Sequence, residues 1–349
     1  MRFLTVRLLP LVLCLGVLAT REVCAAEPRL NLFIWSEYID PAVVAEFERR
    51  FTCKVVIDLY EDDGAMMAKL QAGGAALYDV VVPPDFRVPA LIKLNLLAPL
   101  RRENLPNLKH LDPKFLRPAY DPEDRYTVPY QWGTVGLFVR RRADRPLPDS
   151  WAAVFDPAQS WGPFVLLDAQ RDLIGVALKY RQRSVNSADP AQLRDARDLL
   201  VAAKRRSVGF DGTVGGKNKV LAKLAAAAIV YSGEGVRGVA EDAETAYVIP
   251  REGSVIWVDR LAVLAEAPHR DLAEKFVNFC LEPEIGARIS NFTQFASPNL
   301  AARPFLKPDD LKNPAIYPPP EVLERLEMLE HLGSTARLYD EVWTQVKAR

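Results

Sequence analysis

Short apolar runs of strand length alternate along this chain with segments of helical periodicity. That alternation leaves few folds open to it. Leu30 to Ile34 is a strand. Asp40-Pro41 then opens a helix, with Asp as N-cap and Pro at the first helical position, and Val43, Val44, Phe47 and Phe51 recur on one face. Lys54 to Tyr60 is β-rich, Glu61-Asp62-Asp63-Gly64 reads as a turn, and Ala65 to Gln71 as a second helix. Tyr78 to Val82 is a continuous apolar strand of the kind that parallel sheets bury. After a Pro-rich passage between Arg101 and Tyr130 the pattern resumes. Ser150 caps a helix at Trp151, Phe164 to Leu167 is a strand, and Asp168 opens a helix through Tyr180. A further helix runs from Asp189-Pro190 to about Arg206. Strand ends follow at 229–232 and 246–249, then an apolar stretch at 260–264 and a helix at 271–281. A helical region from Glu321 closes the chain. The fold class is α/β: mixed, mostly parallel sheets flanked by helices.

With 349 residues there is enough chain for two domains with separate cores. Forty-five basic residues balance 45 acidic ones, so no basic excess points to a nucleic-acid partner. Arg2 and Arg7, the apolar run Leu8 to Ala19 and the small residues of Val23-Cys24-Ala25-Ala26 form a signal peptide over 1–26. Neither Cys14 nor Cys24 follows the small residue that a lipid-attachment site wants. The expectation is therefore a soluble, exported monomer. Cys53 and Cys280 remain after cleavage. An exported chain could pair them, but a domain this size needs no staple, which favours two separate buried thiols. His110, His269 and His331 stand far apart, and no metal-ligand spacing is present. There is no nucleophile elbow, P-loop or dinucleotide fingerprint, so neither an enzyme nor a cofactor is expected. Gly215-Gly216-Lys217 lacks the rest of a phosphate loop and reads as a turn into a helix at Val220.

In open α/β sheets ligands bind beyond the carboxyl ends of the strands. Those ends share a composition here. The first strand gives Trp35, Ser36, Glu37 and Tyr38, and the third gives Asp85 and Phe86. Asp168 follows the strand at 164–167, with Asp172 one helical turn on; Tyr231 and Glu234 follow the strand near 230. Trp257 and Asp259 lie two apart, so on a strand they share a face. Singly, each has an ordinary reading as packing, cap or surface charge. Together, aromatics and carboxylates without matching Lys or Arg at the same ends make a box for a cation. Ring faces contribute roughly 0.5–2 kcal/mol each to holding an ammonium, and carboxylates add charge-assisted hydrogen bonds. Several such groups suit an elongated molecule with more than one amine.

The segments IWSEYI, LYDVVVP, YTVPYQWGTVGLFV, SWAAVFDP, WVDRLAV and SPNLAAR, in this order, resemble the periplasmic polyamine-binding proteins of ABC transporters, the spermidine/putrescine-binding type. The similarity spans Leu30 to about Val346. It implies two lobes around a cleft, with crossing strands as the hinge. The first lobe would be 27–133 with 257–298, and the second 134–256 with 299–349. The chain would cross after Gly133, near Trp257 and near Pro298. It implies capture of a polyamine between the lobes and delivery to an ABC transporter permease in the periplasm. The alternatives are a membrane signalling receptor as the partner, or a site retuned to another amine. Trp35, Ser36, Glu37, Tyr38, Asp172, Trp257, Asp259 and Phe295 match family binding positions. The chain departs from the family at Pro84 for a small hydroxyl, Phe86 for Tyr, Ala169 for an acid beside Asp168, Tyr231 for Trp, and near Leu329 for a polar residue. Asp85 and Glu234 are additional carboxylates.

Overall fold

The structure is a computed structural model that describes residues 27–348. The expected signal peptide, with Cys14 and Cys24, lies outside the described residues. In the first lobe β1 (Arg29–Trp35) runs into α1 (Pro41–Phe51), where the Asp40 carboxylate accepts the Ala42 N–H at 2.8 Å. β2 (Lys54–Tyr60) runs into α2 (Asp63–Gln71), capped by Asp62 on the Ala65 N–H at 2.7 Å. Half of the expected turn at 61–64 is thus the helix's first turn. β3 (Val80–Val81) and α3 (Val88–Lys93) complete this part.

The long strand β4 (Thr127–Arg140) is buried at every position but its last. Beyond it the second lobe comprises α4 (Ala152–Phe155), β5 (Phe164–Leu167), α5 (Gln170–Tyr180), α6 (Pro190–Lys204), β6 (Gly209–Asp211), α7 (Thr213–Leu221), β7 (Ala227–Tyr231), α8 (Ser232–Glu241) and β8 (Thr245–Val248). β9 (Val255–Val263) returns to the first lobe, which α9 (Arg270–Cys280) and α10 (Pro283–Thr293) cover. The chain closes through α11 (Pro308–Lys312), α12 (Pro320–Leu323), β10 (Glu327–Met328) and α13 (Ala336–Ala348).

Among the described residues the strands join in the order β2-β1-β3-β9-β4-β7-β5-β6, with β10 on β9 and β8 on β4. The outer pairs β1–β2, β1–β3, β5–β6 and β5–β7 are parallel, as the strand–helix alternation predicts. The central pairs β3–β9, β4–β9, β4–β7 and β4–β8 are antiparallel. With the parallel pair β9–β10 the sheet is mixed and mostly parallel, as expected, and the antiparallel pairs fall where two strands cross between the lobes in opposite directions. β4 pairs with β9 from Thr127 to Thr134 and with β7 and β8 from Val135 to Arg140. Each lobe has its own core. Phe47 packs edge-on against Phe276 and at a tilt against Phe279 in the first, and Trp151, Phe164, Leu173 and Tyr339 fill the second.

Three readings change locally. α5 begins at Gln170 with Ala169 at its N-cap, so Asp168 caps nothing. Gly215-Gly216-Lys217 lies inside α7 rather than in a turn before it, and the buried Lys217 reaches Glu241 at 2.6 Å. The chain does not leave the first lobe at Pro298. Ala302 and Leu306 pack on Ala287 of α10, and Ile316 joins Phe115 and Trp132. The crossing comes at Pro318–Pro320, after which α13 buries Tyr339, Val342 and Val346 in the second core.

Cys53 and Cys280 are free, buried thiols of the first-lobe core. On the chain without residues 1–26, a thiol-specific chromogenic reagent should find no reactive thiol in the native state and both in denaturant. Reductant should leave the melting temperature unchanged.

Candidate binding site

β1, β3, β5 and β7 end at one cleft between the lobes and β9 crosses it; the cleft encloses about 910 Å³ including its open mouth. Trp35, Ser36, Tyr38 and Phe86 line it from the first lobe, and Asp168, Asp172, Tyr231 and Glu234 from the second. Trp257, Asp259 and Phe295 line it at the crossing. The two-residue spacing on β9 does put Trp257 and Asp259 on one wall.

Tyr38 is set by its own carbonyl, which accepts Tyr130 Oη–H at 2.9 Å and the Gln131 side-chain amide at 3.3 Å. Its ring meets Phe295 edge-on at 5.6 Å and Trp257 at 6.5 Å. Trp257 in turn meets Phe295 at 4.9 Å and Tyr231 at 5.6 Å, both edge-on. Two glycines admit this cluster. A Cβ on Gly133 would come within 2.6 Å of the Trp257 ring, and one on Gly233 within 2.7 Å of Phe295. The aromatic wall thus depends on backbone approach as much as on the rings themselves.

The electrostatics are those of buried acids. Asp259 is only 7 % exposed, and no Lys, Arg or His among the described residues pairs with it. Burial pushes its pKa up to about 8, and the nearby Asp172, Asp85 and Asp63 add to that. Asp172, also buried, accepts the Tyr231 hydroxyl at 3.3 Å. Burial, then the charge of Asp63, raises it to about 7, against the opposing pull of Arg171. Burial also raises the pKa of Glu234, although Arg237 binds it at 2.7 Å. Three buried donors at the same wall have no hydrogen-bond acceptor: Trp35 Nε1, Tyr38 Oη and Trp257 Nε1. The Tyr38 hydroxyl lies close enough to Asp259 to hold that carboxyl's pKa down somewhat, while burial and then the Asp259 charge raise the hydroxyl's own.

Two expected positions lie elsewhere. Asp85 is outside the cleft lining, held by Arg260 and Tyr120. Arg260 is almost wholly buried and donates to the Phe115 carbonyl at 3.0 Å, so Asp85 serves as its counter-charge. Glu37 is exposed and also outside the lining. Its backbone is left-handed, at φ 52°, which turns Trp35 and Tyr38 inward and Glu37 outward. Its carboxylate reaches across the cleft to Arg237 of α8 at 3.1 Å. Asp168 does border the cleft, but Lys347 of α13 holds it at 2.8 Å, so it does not stand in for the acid missing at Ala169. Pro84, Ala169 and Leu329 all lie in the wall as apolar surface.

Sequence reasoning missed Glu61, Asp62 and Asp63, which line the mouth, and Thr213 at the start of α7. The acids stand at the carboxyl end of β2, the same position that singled out the others; read as a turn, they were passed over. Asp63 pairs with Arg87. Thr213 had no local signal. Its hydroxyl donates to Glu234 at 3.3 Å and accepts the Tyr231 N–H at 3.1 Å.

Two lobes, crossing strands and a deep interlobe cleft define a solute-binding protein. Residues 42–319 match the family of bacterial extracellular solute-binding proteins, and the chain belongs to that family. It is 31 % identical to a putrescine/cadaverine-binding protein of Pseudomonas aeruginosa over 97 % of this chain and 99 % of that one. It is 29 % identical to the spermidine/putrescine-binding periplasmic protein of Escherichia coli over 91 % of each. A solved structure from Listeria monocytogenes, described as a spermidine/putrescine ABC transporter, superposes with a TM-score of 0.85 at 32 % identity. That match covers 92 % of this chain and 99 % of the other.

The ion triad Glu37–Arg237–Glu234 generates an ordered pair of outcomes. Glu37 is exposed, so Glu37→Gln should cost about 0–1 kcal/mol of stability. Arg237→Ala leaves the buried Glu234 without its cation and should cost about 3–5 kcal/mol. Urea unfolding of both variants checks the order.

Proposed function

We propose that this chain is a periplasmic binding protein that takes a polyamine into the interlobe cleft and hands it to the permease of an ABC transporter. Its signal peptide over 1–26 directs export. The observation that carries this reading is Asp259: a buried carboxylate at the crossing of the lobes, walled by Trp257, Tyr38 and Phe295, with no described cationic partner. An ammonium placed there gains a counter-charge and ring faces at once. Asp172, on the opposite lobe, supplies the second charge, and Tyr231 lies between them. A cation that bridges Asp259 and Asp172 draws the lobes together, which is how binding becomes a closed shape that a permease recognises. The Tyr38 hydroxyl oxygen has no partner among the described residues and can accept from the ammonium. Glu37 acts outside the cleft, as a closing contact with Arg237.

Calorimetry on protein refolded to strip bound ligand, titrated with putrescine, cadaverine, spermidine and agmatine, tests the reading. Micromolar or tighter binding of at least one is the expected result. No heat and no thermal shift with any of them sinks it. Asp259→Asn should lose about 3–5 kcal/mol of binding. Asp85→Asn should leave binding nearly intact and instead lower stability through the stranded Arg260.

The pKa shifts set a pH dependence. An unfolded Asp titrates near ~3.9, so the ligand-free folded protein holds protons at Asp259 and Asp172 that the unfolded chain has released. Its stability therefore falls as pH rises from about 4 through 7–8, the folded values of the pair, and is flat beyond them. An ammonium ligand favours the ionised carboxylates, so binding releases protons wherever the pH lies below those folded values of 7–8. Affinity should fall roughly tenfold per pH unit for each carboxylate that must ionise. Calorimetry in two buffers of different ionisation enthalpy should find proton release at pH 6 and almost none at pH 9.

A further inference from the structure

The acids of the cleft divide into two sets. Asp259 and Asp172 have no cationic partner within ion-pair distance among the described residues, and Asp172 is met only by the Tyr231 hydroxyl. The other side chains that bring negative charge to the interior of the cleft are each matched from within the protein. Asp63 is held by Arg87, Glu234 by Arg237 at 2.7 Å, and Asp168 by Lys347 at 2.8 Å. Asp62 spends one oxygen on the first turn of α2, and Glu61 stands exposed on the rim. The interior therefore offers two uncompensated negative charges.

Asp63 sets the outer limit of that pattern. It opens α2, directly after β2, whose last residue Tyr60 lies opposite Trp35 in the sheet and packs on its ring at 4.5 Å. Asp63 thus lines the cleft three residues on from the Tyr60–Trp35 contact, near enough to Asp172 for its charge to raise that carboxyl's pKa. Arg87 already occupies its carboxylate, with the guanidinium 5.2 Å from the Phe86 ring. That ring lines the cleft and carries a second guanidinium, Arg171 of the opposite lobe, at 5.4 Å. Two guanidiniums therefore stand within reach of the Phe86 part of the wall, although neither lines the cleft itself.

We propose that the cleft selects a linear diamine over tri- and tetra-amines, and that the Asp63–Arg87 ion pair is the specificity determinant. This rests on the polyamine reading above. Asp259 and Asp172 take one ammonium each, and Trp257, Tyr231 and Tyr38 cover the methylenes between. A third ammonium finds the Asp63 carboxylate already paired with Arg87, whose own charge repels it. Leaving a buried charge unpaired is the cheapest way for a protein to reject a near relative of its ligand.

The test is calorimetry at one pH and ionic strength with putrescine, cadaverine, spermidine and spermine, on wild type and two variants. Wild type should bind a diamine at least about tenfold more tightly than either longer amine, the scale of one weak charge mismatch. Arg87→Gln frees Asp63 and should narrow or reverse that ratio. Asp63→Asn leaves Arg87 unopposed and should widen it, which keeps the test sharp should Arg87→Gln fail to fold. A wild type that prefers spermidine, or variant ratios that do not move, overturns the inference and leaves the polyamine reading standing. Failure to bind any of the four overturns both.

Discussion

The antiparallel pair β4–β9 is the constraint on which the rest depends. It is the one place where a strand leaving the first lobe and a strand returning to it lie side by side, and its register joins Gly133 to Trp257 and Gln131 to Asp259. The crossing therefore fixes the hinge and the floor of the cleft with the same residues. A shift of two residues in that register would keep the sheet and the burial pattern yet move Asp259 off the axis between the lobes. The glycine at 133 is part of this. Trp257 can lie flat against the crossing only because nothing projects from the residue opposite it.

From that floor the cleft is built by compensation. Most of its charges are answered nearby, as buried charges must be. Arg260 is answered by Asp85, Glu234 by Arg237, and Asp63 by Arg87. The two left over, Asp259 and Asp172, stand on opposite sides of the hinge, one on β9 and one on α5. Their raised pKa values have one main cause, burial, and a ligand that relieves it in one must act across the gap to relieve it in the other.

Much of this was legible in the sequence because it is local. Asp40-Pro41 and Asp189-Pro190 announce helix starts wherever they occur, and both caps form as read. Strand ends collect the site because the sheet collects them, so Trp35, Tyr38, Asp172, Tyr231 and Trp257 meet despite their separation in the chain. What was not legible is pairwise and distant. Asp85 looked like its neighbours at the strand ends, and only Arg260, 175 residues away, removes it from the ligand. Glu37 sits between two cleft aromatics and still faces out, because one left-handed residue turns it. Helix α8 was hidden by its own composition. Gly233, Gly235 and Gly238 weaken any helical signal, yet each is where Phe295, Tyr247 or Phe138 presses against the backbone.

That last case shows how packing can override propensity in the service of a site. A Cβ at Gly235 would come within 2.2 Å of the Tyr247 ring, and one at Gly238 within 2.4 Å of Phe138. Each glycine costs the isolated helix about 1 kcal/mol relative to alanine, so three such residues in ten describe a segment that would not hold its shape alone. It holds because the second-lobe sheet lies against it, and that contact brings Glu234 and Arg237 to the edge of the cleft. The residue that reaches across to the first lobe is thus carried by a helix whose existence depends on the second lobe being folded. The Glu37–Arg237 contact therefore reports the integrity of a whole lobe rather than the strength of one ion pair.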